Sequence, residues 1–264
     1  ILVGLVGSEM CIRDRSFTMR QSKYPQLKGK LPCRVCMFGK SSAGKGVACV
    51  NLLTKFFVDE KQRPCFDRYM VVSPTATLDH GWKPVRRFMQ ERMGLSEQKV
   101  EALFLDTWDQ PRIQAEIDAH SKVVENEKKA GKKELSALLI VFDDMADQGG
   151  VMHKNNDSLI NRLYLSGRHR GISSIVISQK KRLIAPTIVV QCNWLMAFRT
   201  SDRDELESIY AMFSALIDRP TFDEVWRFVH KAPYSFLTVF PNEMDADKIF
   251  MHRLEEWITF ASEV

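Results

Sequence analysis

The sequence predicts an α/β protein: a mostly parallel central sheet between two layers of helices, a three-layer α/β/α arrangement. Three observations carry this expectation. Short apolar runs alternate with segments of helical spacing along most of the chain, the pattern of βα units whose crossovers keep strands parallel. A glycine-rich segment, Gly39-Lys-Ser-Ser-Ala-Gly-Lys-Gly46, lies between such a strand and such a helix. The run from Leu138 to Phe142 is apolar throughout and ends in Asp143-Asp144, as expected of a strand covered on both faces.

The elements follow in chain order. Residues 33–38 read as a short buried strand, and the glycine-rich segment then opens an apolar-periodic helix to about Val58. Residues 68–73 form a second strand rich in Val and Met, stopped by Pro74. Helical spacing covers 82–92, a short strand is expected at 102–106, and an amphipathic helix at 111–129 ends in a solvated charge run before Gly131. After the strand at 138–142 come a helix at 157–165 and a strand at 172–178 that ends at Gln179. A strand at 193–198, helices at 201–213 and 222–230, and terminal strands at 235–240 and 248–252 complete the reading. No repeat, low-complexity tract or Gly/Pro/Ser linker divides the chain, so one domain is expected.

Composition excludes several classes. With 264 residues, 45% apolar and 27% charged, the chain has the makings of a sizeable core, and is neither a collagen, a disordered tail nor a small disulfide scaffold. No apolar run approaches the ~18 residues of a membrane span. The formal charge of +5 is compatible with a polyanionic partner without requiring one.

The ten residues Leu5–Asp14 match one reading frame of a transposon adapter used to prepare sequencing libraries. Residues 1–14 are therefore expected to be an artefact, with Met19 as the native start; residues 15–31 are expected as a basic leader, solvated in preference to a phosphate-contacting arm, and 32–264 as the folded domain. Without the first fourteen residues the charge is +6. Five cysteines then remain (33, 36, 49, 65 and 192), an odd number without framework spacing, which favours a reduced, intracellular setting. Cys33-Arg-Val-Cys36 lies on a strand, where residues three apart point to opposite faces, so it reads as core packing rather than a metal or redox pair.

The chemistry sits in two motifs. Gly39-x-x-x-x-Gly44-Lys45, placed between strand and helix, has the form of a phosphate-binding loop. Residues 39–46 (Gly39, Lys40, Ser41, Ser42, Ala43, Gly44, Lys45 and Gly46) would wrap the phosphates of a nucleotide with backbone N–H groups, and Lys45 would reach the β/γ oxygens. Gly46 occupies the position where a Ser or Thr hydroxyl normally meets Mg²⁺, so the cation must take an extra water or use Ser41 or Ser42. Asp143, at a strand end, is assigned to Mg²⁺ and Asp144 to orienting and deprotonating a lytic water. The alternative is two acids that only cap a strand. Lys45 and Asp143 stand 98 positions apart, room for an additional strand between the motifs, which favours the RecA-like, additional-strand branch of P-loop NTPases. Gln179 is placed to sense the γ-phosphate. Arg168 and Arg170 just precede its strand and could reach a neighbouring subunit's γ-phosphate or serve as surface ion pairs; His169 reads as a spacer between them.

Gly39–Gly46, Asp143-Asp144, the stretch Arg168–Gln179 (RHRGISSIVISQ) and Phe66–Thr75 (FDRYMVVSPT) together resemble the genome-packaging ATPases of poxviruses and other large DNA viruses, within the FtsK/HerA class of DNA pumps. The resemblance spans roughly residues 32–240, and paired aspartates in place of Asp-Glu also occur in that family. It implies ATP hydrolysis with Mg²⁺, a homo-oligomeric ring of five or six subunits, double-stranded DNA as partner with a capsid-vertex protein beyond it, and a site in the host cytoplasm or viral factory. Two other readings stay open: another DNA-dependent translocase or helicase of the same branch, and a nucleotide-binding assembly protein whose Gly46 marks weakened hydrolysis. Lys180-Lys181-Arg182 and the loop with Gly149-Gly150 and Lys154-Asn155-Asn156 are candidates for DNA phosphate contacts, or are ordinary solvated loops.

Overall fold

A computed structural model of the chain describes residues 17–145 and 158–260. Its strands are β1 (Arg34–Phe38), β2 (Arg68–Val72), β3 (Phe104–Leu105), β4 (Leu138–Asp143), β5 (Ile172–Ser178), β6 (Trp194–Phe198), β7 (Phe236–Val239), β8 (Phe250–His252) and β9 (Glu256–Ile258). They form one sheet in the order β3-β2-β4-β5-β1-β6-β7-β8-β9. The six strands from β3 to β6 are parallel, and β7, β8 and β9 add antiparallel pairs at one edge.

Alternation along each central strand sends side chains into two separate cores. Val35, Met37, Leu139, Val141, Ile175 and Ile177 pack under α1 (Lys45–Asn51) and α2 (Lys83–Met93). Cys36, Phe38, Leu138, Ile140, Phe142 and Val176 pack under α4 (Gln110–Lys129), α5 (Leu159–Ser166), α7 (Arg203–Phe213) and α8 (Arg219–Val229). Because both faces are covered, these strands read as continuous apolar runs. Cys33 and Cys36 fall in opposite cores, so the pair cannot close on one ligand.

The structure departs from the sequence reading at short elements. The first helix does not run on as α-helix: after Asn51 it widens into a π turn, Leu52–Phe56, closed by the Phe57 amide donating to the Leu52 carbonyl at 2.8 Å. That turn carries Phe57 inward, edge-on to Phe66 and Trp194. The strand expected at 102–106 shrinks to β3, since the preceding residues form α3 (Glu97–Glu101), capped by Ser96. The six-residue α6 (Pro186–Gln191) and the exposed edge strand β9 lack a periodic signal long enough to be read.

The solvated leader is corrected for the residues described. Thr18 joins the backbone at 133–135, Arg20 pairs with Asp67, Ser22 donates to the Phe56 carbonyl at 2.6 Å, Lys30 pairs with Glu243, and Leu27 is buried. The acids that receive these cations lie far away in the chain, which is why the segment alone reads as unpartnered.

Between α5 and the sheet, Tyr164 is fully buried and its hydroxyl donates to the Val35 carbonyl at 2.6 Å, while Arg34 Nη1 donates to the Tyr164 carbonyl at 3.0 Å. These contacts clamp α5 onto the strand that leads into the phosphate loop. Tyr164→Phe should lower the unfolding free energy by about 1 kcal/mol and Tyr164→Ala by about 3–5 kcal/mol. Urea unfolding with unchanged slopes is the measurement; equal stability of all three proteins would refute the clamp.

Candidate functional site

The loop 39–46 joins β1 to α1 at the carboxyl end of the parallel strands, where ligands of open α/β sheets bind. Two glycines make its path possible. A side chain on Gly39 would place its Cβ 2.5 Å from Cβ of Phe198 at the end of β6, and the Gly39 amide donates to the Ser178 carbonyl at the end of β5. Gly44 caps α1 at φ +101°, a conformation that side chains disfavour. Lys40, Ser41 and Ser42 are exposed while Ala43 is buried. Lys45 is buried, and its ammonium donates to the carbonyls of Gly39 (2.6 Å) and Lys40 (2.9 Å). Burial lowers its pKa from the ordinary lysine value, and the charges of Asp144 and Asp143 oppose that shift.

The spacing of the two motifs is resolved by β5. This strand lies between β1 and β4, so the additional strand comes from later in the chain than both motifs. Asp143 ends β4 and its carboxyl is pushed up to about 6, chiefly by burial, then by the neighbouring Asp144; the Ser73 hydrogen bond and Lys45 act the other way. Asp144 has φ +52°, left-handed backbone that aspartate adopts more readily than most residues. Its amide donates to the Ile177 carbonyl at 3.0 Å, and Gln179 Nε2 donates to Asp144 Oδ2 at 2.8 Å.

One cavity of about 1470 Å³ gathers Ser41, Ser42, Gly44, Lys45, Gly46, Asp143 and Asp144. Gln179 joins them through Asp144. Arg168 and Arg170 do not join. They lie in the 3₁₀ turn Gly167–Arg170 at the opposite end of β5, about 23 Å from Gln179 by strand rise. No arginine side chain spans that within one chain. Arg170 instead borders a separate cavity of about 330 Å³ with Arg162 and Asp118.

Lys180-Lys181-Arg182 is engaged internally. Lys180 and Arg182 pair with Asp202, Arg182 also with Glu205, and Lys181 Nζ reaches the Ser208 hydroxyl at 3.0 Å. The other candidate loop, with Gly149, Gly150 and Lys154–Asn156, lies outside the described residues.

The structure adds residues that motif reading missed. Ser73 follows β2 and donates to Asp143 Oδ2 at 3.1 Å; Thr75 and Asp79 of the same segment line the cavity. Tyr234, beside Gly44, and Arg253, both at positive φ, form part of its rim, where backbone strain often concentrates. Ser73 had a signal: Val71-Val72-Ser73-Pro74-Thr75 is a parallel strand ending in hydroxyls. Tyr234 and Arg253 had none, because antiparallel strands from the chain's end bring them there.

Loop, strand order and cavity together define the three-layer α/β/α P-loop NTPase fold. No family model and no curated protein sequence matches the chain. Among solved structures, the fold is similar to the genome packaging NTPase B204 of Sulfolobus turreted icosahedral virus 2 in complex with AMP. The identity is 15%, covering 83% of this chain and 96% of that one, with a TM-score of 0.54. It is also similar to EssC (ATPases 2 and 3) from Geobacillus thermodenitrificans, at 13% identity over 90% of this chain and 44% of that one, with a TM-score of 0.55. The chain thus spans less than half of the EssC chain. A viral packaging NTPase therefore stands among the similar folds, in line with the resemblance carried by the motifs.

Proposed function

We propose that the chain is an ATP-hydrolysing motor subunit that moves double-stranded DNA into a viral capsid. One observation carries the hydrolytic part: Lys45, Asp143 and Asp144 face one cavity, with Gln179 hydrogen-bonded to Asp144. The viral DNA part is supported by the motif resemblance and by the similarity to a packaging NTPase. A homo-oligomeric ring, a capsid-vertex partner and a site of action in the host cytoplasm or viral factory belong to the same proposal. Among the described residues no helix is long and apolar enough to cross a membrane.

The chemistry follows from the positions. Loop amides of 39–46 bind the phosphates, and Lys45 leaves its loop carbonyls to meet the β/γ oxygens. Asp144 accepts a proton from the attacking water, held in place by Gln179, whose other amide valences remain for water or γ-phosphate. The donor set fits Mg²⁺: it consists of hard oxygens, and the Asp143 carboxyl, disfavoured as an anion by burial and by Asp144, ionises readily beside a cation. Bound there, Mg²⁺ would neutralise charge on the β/γ-phosphate oxygens.

The test is ATP turnover with and without double-stranded DNA. The unaltered chain should turn over ATP faster with DNA; Lys45→Ala should lose nucleotide binding, and Asp144→Asn should bind but lose at least ~100-fold in kcat. Normal hydrolysis by Asp144→Asn would remove Asp144 as the base. Binding without turnover in the unaltered chain would favour the assembly-protein reading instead.

Position 46 gives a second expectation. A Cβ there meets nothing within 4 Å, so Gly46→Ser fits without displacement. The added hydroxyl, worth about 1 kcal/mol, should lower the Mg²⁺ concentration for half-maximal turnover roughly fivefold. An unchanged Mg²⁺ titration would show that residue 46 is not at the metal.

Arg168, with Arg170 as second choice, is proposed to act in trans on the γ-phosphate of a neighbouring subunit, a role worth ~10³–10⁵ in rate. Arg168→Ala and Lys45→Ala subunits, each inactive alone, should recover partial activity when mixed. Assembly of the mixture without any recovery would defeat the trans role.

A further inference from the structure

We infer that Ser73 stands in for the hydroxyl the phosphate loop lacks: from the exit of β2 it holds the Asp143 carboxylate in place and thereby sets the divalent-cation affinity of the nucleotide site. The inference rests on the nucleotide-site reading above and assigns cation control to a residue outside the loop.

At Gly46 the chain offers no side chain at all, although the space is open. Ser41 and Ser42 are exposed in the loop, and among the described residues the side chain that hydrogen-bonds Asp143 is that of Ser73. Its position is fixed by the sheet. Val72 is paired with Phe142 in the β2–β4 register, so Ser73 follows beside Asp143, and the Ser73 amide donates to the Leu105 carbonyl at 2.9 Å.

The direction of the hydrogen bonds follows from valence. A serine hydroxyl has one proton, and Ser73 gives it to Asp143 Oδ2 at 3.1 Å. The contact between Ser73 Oγ and Thr75 Oγ1, at 3.3 Å, must then run from Thr75 to Ser73. A chain of two hydroxyls therefore leads from Thr75, on the cavity wall, to the carboxylate. With Oδ2 held, the Asp143 carboxylate cannot rotate freely. Ser73 itself is only 1% exposed, so it acts through Asp143 as a positioning residue. Partners of this kind typically contribute 10–100-fold to metal affinity.

The experiment uses the full chain loaded with ATPγS and titrated with Mn²⁺, free Mn²⁺ being counted by its EPR signal. ATPγS binding in EDTA is measured alongside. Ser73→Ala should weaken Mn²⁺ binding about tenfold or more, with cation-free nucleotide binding within about twofold of the unaltered chain. Ser73→Thr should retain the affinity. Mn²⁺ affinity indifferent to Ser73→Ala would overturn the inference, as would a Ser73→Thr variant that binds Mn²⁺ no better than Ser73→Ala. A chain that binds no ATPγS would overturn the nucleotide-site reading and this inference with it, whereas the first two failures leave that reading standing.

Discussion

The placement of β5 between β1 and β4 is the constraint on which the geometry of the candidate site depends. Its last residues hold three things at once. The Ser178 carbonyl receives the amide of Gly39 at the mouth of the phosphate loop, the Ile177 carbonyl receives the amide of Asp144, and Gln179 reaches the Asp144 side chain. A strand that is buried along its whole length thereby fixes the distance between phosphate cradle and carboxylates. The hydrogen-bond ladders on both sides of β5 make that distance a property of the sheet rather than of loops.

The electrostatics follow from the same geometry. Lys45 and Asp143 are brought together where water is partly excluded: burial disfavours the lysine as a cation, burial and then Asp144 disfavour Asp143 as an anion, and the opposite charges of Lys45 and Asp143 work against both shifts. A polyphosphate with its cation would relieve these costs of burial and of the paired aspartates. The basic segment after Gln179 belongs to a different set of interactions. Tied to Asp202, Glu205 and Ser208, it couples the end of β5 to α7.

What could be read from the sequence was whatever is local or strictly periodic. β5 was legible to the residue because seven apolar or small residues sit between a glycine and a glutamine, and the loop with its flanking strand and helix was legible because the glycines fall where the backbone needs them. The insertion of β5 between β1 and β4 was not legible from the spacing of the motifs, because the residues between Lys45 and Asp143 hold β2 and β3 and the inserted strand follows both motifs. The π turn after Asn51, the six-residue α6 and the partners of the basic residues before Cys33 were not, since each depends on contacts distant in the chain. At the site, Lys45, Asp143, Asp144 and Gln179 were assigned from motifs; Ser73 lay in the Phe66–Thr75 stretch, but its place beside Asp143 comes from strand register, and Tyr234 and Arg253 arrive through the antiparallel edge. Arg168 and Arg170 show the converse limit: adjacency in sequence to the Gln179 strand places them at its far end.

The left-handed backbone at Asp144 also explains why a short acid suits this position. In that conformation a side chain meets its own backbone carbonyl, and residues with a compact polar side chain tolerate the crowding best. An acid one methylene longer would relax nothing in the backbone and would carry its oxygens past the point where Gln179 now meets Oδ2 at 2.8 Å. Side-chain length and chain curvature are thus matched at this corner: the bend that turns the chain out of β4 sets where the acid's oxygens fall, and the amide at the tip of the adjoining strand meets one of them.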